Sequence, residues 1–217
     1  MDDLEVAGEV VDQTLRELDF INRFLGGNKI SLAAFKNLLK NTEQATIADL
    51  GSGGGDILMT MADWSRKQGK KFSFLGIDAN AHIVAYAKSN CIEYEELAFE
   101  CQDILSPEFA RQSFDVIHCC LFTHHFTNEE LIRLFRQFRA QSKVGVVIND
   151  LHRHPLAYHS IKVLTRLFSK SEMVKYDAPL SVARGFRRKE LEHILHEAGI
   201  PDYNLSWKWA FRWKIVF

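Results

Sequence analysis

The stretch IADLGSGGGDI, residues 47–57, opens apolar, runs through four glycines and a serine, and carries an acid on either side, Asp49 and Asp56. Before it, "ATIADL" is a short apolar run that reads as a buried strand. After it, residues 57–67 read as a helix. A glycine-rich turn between strand and helix lets the backbone approach a ligand, at the strand end where open α/β sheets bind one. A lone glycine cluster is often only a turn, so the placement between strand and helix is what favours a ligand site. The spacing is Asp49-x-Gly51-x-Gly53-x-Gly55. A dinucleotide fingerprint GxGxxG counted from Gly51 would need its last glycine where Asp56 stands. A phosphate loop would need Gly-Lys-Ser/Thr where the chain has Gly55-Asp56-Ile57. Acids with no lysine disfavour a diphosphate and suit a ligand with a cationic part. Asp56 also reads as a helix cap.

Outward from the loop, apolar strands and helices alternate. "KFSFLGID", "LAFECQDI", "SFDVIHCCLF" and "KVGVVIND" read as further strands, and "AHIVAYAKSN" and residues 128–140 as helices. This rhythm predicts βαβ units and a mainly parallel sheet covered on both faces. Residues 1–44 read as helical, broken at Gly26 and Gly27, with Ser31 as the N-cap of a second helix ending at Lys40. Residues 152–185 are too long for an ordinary loop and contain an amphipathic helix over 157–169. "RRKELEHILHEAGI" reads as a helix stopped by Gly199, and "YNLSWKWAFRWKIVF" as two strands in an edge hairpin.

Bulk properties bound the function. The 217 residues fit one domain and are 47% hydrophobic; 27 basic and 28 acidic residues leave a formal net charge of -1. There is no basic excess of the kind that binds nucleic acid. No apolar stretch is long enough to span a membrane. The four cysteines form no CxxC pair and read as small buried residues in a reducing compartment. The acidic, polar start carries no signal-peptide pattern, so a cytoplasmic protein is expected.

On "DLGSGGG" the chain resembles the class I S-adenosylmethionine-dependent methyltransferases, over roughly residues 45–199. The resemblance implies a Rossmann-like three-layer α/β sandwich with a seven-stranded sheet, its last strand antiparallel. It implies a variable lid, here residues 1–44 and 152–185, over a methyltransferase domain spanning 45–217. S-adenosylmethionine (SAM) is the implied cofactor and S-adenosylhomocysteine (SAH) the product. Asp49 would arrange the loop and the methionine amino group. Asp78, ending "LGID", would meet the ribose hydroxyls, and Asp103 in "CQDI" the adenine amino group, with Ile104 packing nearby. Gly51, Ser52, Gly53, Gly55, Ala79 and Leu121 complete the implied cofactor contacts. Arg23 is a candidate for the methionine carboxylate, against a plain surface position. An acid at one strand end is often just a cap; three at the tips of consecutive strands are harder to dismiss.

The acceptor side is read from histidines. In "CCLFTHHFTNEEL", Thr127 and Glu130 have capping-box spacing, which leaves His124 and His125 unexplained just past a strand tip. In "NDLHRHPLAYH", His152, His154 and Tyr158 cluster past the next one. His124, His125 and His154 are candidate bases; His152, Tyr158 and Phe168 are candidate substrate contacts. Alignment alone also drives a one-step displacement. The HxH pair lacks a third metal ligand, so no metal is expected. An apolar lid suits a small aromatic or polyketide-like hydroxyl compound. "HHF…EEL" is also similar to the ubiquinone and menaquinone C-methyltransferases, which keeps C-methylation of a quinone-type precursor open, as is a non-catalytic cofactor-binding protein of the same fold. The Asn/Asp-Pro-Pro-aromatic motif of DNA amino-methyltransferases is absent here.

Overall fold

A computed structural model describes residues 6–217; the first five positions of the helical segment expected over 1–44 lie outside them. Seven strands, β1 (Gln44–Leu50), β2 (Lys71–Asp78), β3 (Leu97–Cys101), β4 (Phe114–Cys120), β5 (Ser142–Leu151), β6 (Asn204–Lys208) and β7 (Arg212–Val216), form one sheet ordered β3-β2-β1-β4-β5-β7-β6. β1 to β5 pair in parallel. β7 is antiparallel to both its neighbours, as expected, so β6 runs with the parallel strands and forms the edge.

Neighbouring strand residues point to opposite faces, and both faces are buried. Ile47, Val116 and Val147 pack with α2 (Gly27–Leu38), α3 (Asp56–Lys67) and α4 (Ala81–Asn90). Ala48, Ile117 and Ile148 pack on the other side with α5 (Pro107–Ala110), α6 (Asn128–Gln141) and α9 (Arg188–Glu197). That two-sided burial explains why the strands read as continuous apolar runs. Thr127 and Glu130 form the expected capping box of α6, and Gly199 follows α9 at φ +73°.

Two helical expectations need correction. The second helix begins at Gly27, capped by left-handed Gly26, and Ser31 lies inside it rather than at its N-cap. Ser31 is fully buried, and its hydroxyl bonds His118 Nε2 at 2.9 Å and accepts from Asn149 Nδ2 at 3.0 Å. Sheet contacts thus override its preference for a cap. Residues 152–185 hold two helices, not one: α7 (Pro155–Phe168) and α8 (Glu172–Arg184). α7 starts two residues early because Pro155 suits its first turn. α1 (Glu9–Phe24) joins them: Thr14 Oγ1 and Ser171 Oγ lie 2.9 Å apart, and Glu17 accepts from the backbone of Lys170 and Ser171 at the start of α8.

Candidate active site

The β1–α3 loop obeys a backbone requirement: Gly51, Gly53 and Gly55 all lie in the left-handed region, at φ +69°, +52° and +81°. At Gly51 a Cβ would meet the Phe122 ring at 2.2 Å, and at Gly55 the Cys91 sulfur at 2.6 Å. At Gly53 the nearest atom, on Leu15, is 3.8 Å away. Two glycines therefore let the turn pack down, and the middle one faces open space. Backbone N–H groups of Gly51 and Ser52 donate to Ile77 O at the tip of β2, at 2.8 and 3.2 Å.

That open space is a cavity of about 390 Å³ at the C-terminal tips of the parallel strands. Its floor is the glycine loop with Asp49, Gly51, Ser52, Gly53 and Asp56, then Cys120, Leu121, His124 and His125. α1, α7 and α8 contribute Leu18, Ile21, Ile161, Leu164 and Leu180, the β6–β7 turn adds Trp209 to Phe211, and the start of β7 adds Arg212. The walls are mainly apolar with a few polar groups, the usual composition of a small-molecule site. Leu121 sits at φ +54°, a conformation that costs a non-glycine residue roughly 1 kcal/mol or more; its N–H donates to Asn149 O at 3.0 Å.

Two buried acid–histidine pairs support the floor. Asp49 Oδ1 lies 2.6 Å from His118 Nδ1, and the Ser31–Asn149 pair holds His118 from behind. This fixes the Asp49 carboxylate beside the loop. In the second pair, Asp150 Oδ1 lies 2.7 Å from His124 Nδ1, while its Oδ2 accepts from Thr123 Oγ1 at 2.6 Å. Burial alone would push the Asp150 carboxyl up. The His124 ring and the hydrogen bonds from His124, Thr123 and Leu151 outweigh it and hold the carboxyl at about 2. With Nδ1–H donating to Asp150, Nε2 is the ring nitrogen left to exchange a proton, and it carries the lone pair whenever the ring is neutral. His124 is 5% exposed, and that Nε2 has no partner among the described residues. A carboxylate that holds one ring nitrogen in this way fixes the ring and leaves the other nitrogen able to take a proton.

The cavity thus brings together Asp49, Gly51, Ser52, Gly53, Leu121, His124 and His125 from the residues singled out in the sequence. Asp78 and Ala79 lie at the tip of β2; burial pushes the Asp78 carboxyl up, against backbone N–H groups of Asn80, Gly53 and Ala79 that lower it. Asp103 lies two residues past β3, exposed, accepting from Leu105 N at 2.8 Å, and Ile104 is buried in the core. Gly55 packs into the core side of the loop. Arg23 is exposed and pairs with Asp19 at 2.7 Å and Asp56 at 3.5 Å. Burial and the Asp19 charge push the Asp56 carboxyl up to about 6, against Arg23.

The second histidine group stands apart from the cavity wall. His154 Nδ1 accepts from Leu156 N as the cap of α7, and its ring stacks on Phe211 at 5.1 Å. His152 Nδ1 accepts from Trp207 Nε1 at 3.2 Å, and burial, then His154, lowers its pKa. Tyr158 is half-buried on α7 outside the wall, and Phe168 is 76% exposed at that helix's end. No three metal-ligating side chains converge among the described residues. The sequence reading missed Asp150, His118 and Asn149. The signal for them was polar residues set into the otherwise apolar runs "VIHCC" and "VVIND".

Comparison with known proteins gives this arrangement its context. Residues 41–199 match the family model described as a methyltransferase domain. Human N-acetylserotonin methyltransferase in complex with SAM shares 17% identity at TM-score 0.65, over 94% of this chain and 54% of that one. The plantazolicin methyltransferase BpumL in complex with SAH shares 21% at TM-score 0.64, over 90% and 74%. Magnesium protoporphyrin IX methyltransferase from Synechocystis with bound SAH shares 15% at TM-score 0.58, over 91% and 85%. At these identities the likeness is one of fold. The chain spans about half the length of the human enzyme. No curated protein sequence matches the chain.

Proposed function

Because the chain belongs to the methyltransferase-domain family, we propose that it transfers a methyl group from SAM to the hydroxyl of a small, aromatic or polyketide-like acceptor. When bound, SAM supplies an electrophilic methyl group on a sulfonium. The residues present fit it. Asp49 and Asp56 line the cavity as acids suited to a cationic ligand, Gly53 offers backbone without a side chain, and buried Ser52 Oγ has no partner among the described residues. Asp78 at the tip of β2 is the candidate for the ribose hydroxyls and Asp103 beyond β3 for the adenine.

The single observation that carries the hydroxyl reading is the His124–Asp150 pair. Nucleophilic attack by a hydroxyl requires loss of its proton, and His124 Nε2, without a partner among the described residues, is the candidate acceptor in the wall of an apolar cavity. Asp150 holds the ring and stabilises the imidazolium that proton transfer creates. The apolar helices exclude water and align the acceptor. His125, its ring 4.3 Å from that of His124, is a candidate substrate contact. His154, engaged as a helix cap, is a weaker candidate for the base than the sequence suggested.

Titration calorimetry with SAH, followed by methyl-transfer assays over a panel of phenols, tests this. His124→Gln is expected to bind SAH within about threefold of the native protein and to lose roughly 100-fold or more in kcat. Native-like turnover by that variant would leave alignment as the mechanism; failure of the native protein to bind SAH would overturn the reading altogether.

A further inference from the structure

Arg212, the first residue of β7, lines the cavity yet is only 2% exposed. Its guanidinium makes two hydrogen bonds, both to neutral amide oxygens: Nη2 to Asn22 Oδ1 at 2.8 Å and Nη1 to Asn149 Oδ1 at 3.4 Å. Among the described residues Nε has no partner, and no carboxylate forms an ion pair with the guanidinium. Burying a cation without a counter-charge is costly, and buried charges are normally paired. The charge here is held by geometry: at Gly27 a Cβ would lie 2.9 Å from Arg212 Cζ, so the first residue of α2 makes room for it.

Two further features at this spot also favour negative charge. α2 begins at Gly27 with no side-chain cap and no acid in its first turn, so its positive end stands uncompensated. Asn28, 6% exposed, has a buried Nδ2 without a partner among the described residues, while its Oδ1 accepts from Asn22. The unsatisfied side-chain atoms here, Arg212 Nε and Asn28 Nδ2, are both donors. A planar acceptor with two oxygens is what a guanidinium fork matches.

We infer that Arg212, beside the amino end of α2, anchors a carboxylate of a ligand bound in the cavity. The ligand's identity rests on the methyl-transfer reading; the anion preference does not. Two carboxylates qualify, that of the cofactor's methionine and one on the acceptor, and both are tested by pairs that differ in that group alone. SAH is compared with its decarboxylated analogue, and benzoate with benzamide, in the native protein and in Arg212→Gln, by calorimetry at fixed ionic strength.

The native protein is expected to prefer the carboxylate member of at least one pair by tenfold or more, and Arg212→Gln to abolish that preference while binding the neutral member within twofold. Loss in the SAH pair assigns the cofactor carboxylate; loss in the benzoate pair assigns the acceptor. No preference in either pair, or a preference that survives in Arg212→Gln, overturns the proposal. Should the glutamine variant fail to fold, Arg212→Lys keeps the charge without the fork and is expected to weaken the preference at least threefold, an unchanged preference overturning the proposal. A native protein that binds benzoate over benzamide but no SAH would sink the methyl-transfer reading and leave the anion site standing.

Discussion

At the residue scale, the glycine spacing and the two acid–histidine pairs make opposite demands on a reader. Asp49 and the alternate glycines announce themselves because sequence neighbours act together. His118 and Asp150 do not, since the partner of each is 69 and 26 residues away; inside an apolar strand a histidine looks like core. Gly55→Ala meets both a left-handed φ and the Cys91 sulfur, whereas Gly69→Ala, at φ +69° with nothing within 4 Å, meets only the first. Chemical denaturation should show a loss of about 1 kcal/mol for Gly69→Ala and a loss at least about 1 kcal/mol larger for Gly55→Ala. Asp150→Asn should retain SAH affinity within about threefold, lose roughly 100-fold in kcat, and alter the pH profile of kcat, because an amide can no longer hold the same His124 tautomer. An unaltered pH profile would reduce Asp150 to a packing role.

At the element scale, helices were legible where one face is apolar and a cap stands in place, as in α6 and α9. α8 was not, because it has Pro179 in its interior and Tyr176 exposed between buried Val174 and Val182. Its start depends on tertiary help: Glu17 of α1 receives hydrogen bonds from Ser169 and the backbone of Lys170 and Ser171. Burial pushes the Glu17 carboxyl up, but those bonds and one from Gln13 leave it lowered. A lowered carboxyl stabilises the fold above its unfolded pKa and loses that contribution as pH falls through its folded value. Glu17→Gln should therefore speed hydrogen exchange in the first turn of α8 at pH 7. The gap from the native protein should close as acid protonates native Glu17; equal exchange rates at pH 7 would show that Glu17 does not hold the two helices.

At the scale of the whole molecule, the parallel sheet was readable, because burial on both faces leaves continuous apolar runs between helices; the reversed last strand was implied by the family resemblance alone. The cavity wall was not, because it is assembled from positions 15 to 212. Asp56 offers a global readout of its floor. Its raised carboxyl binds a proton in the folded state at a pH where the unfolded chain has released it, so stability should fall as pH rises from about 4 toward about 6. Asp56→Asn should flatten that slope in thermal melts, and an identical slope in the variant would place the titration elsewhere. Asp78→Ala should weaken SAH binding by more than about tenfold if ribose hydroxyls lose their acceptor there.

The reversal at β7 carries one more consequence. Since β6 runs with the parallel strands, its turn into β7 delivers Trp209 to Arg212 to the same end of the sheet as the glycine loop. During synthesis, a ribosome would release the glycine loop more than 150 residues before Arg212. The nascent chain can bury most of its sheet early, but a ligand can be gripped from both sides only once the hairpin has been made, so ligand capture reports completion of the fold rather than its beginning.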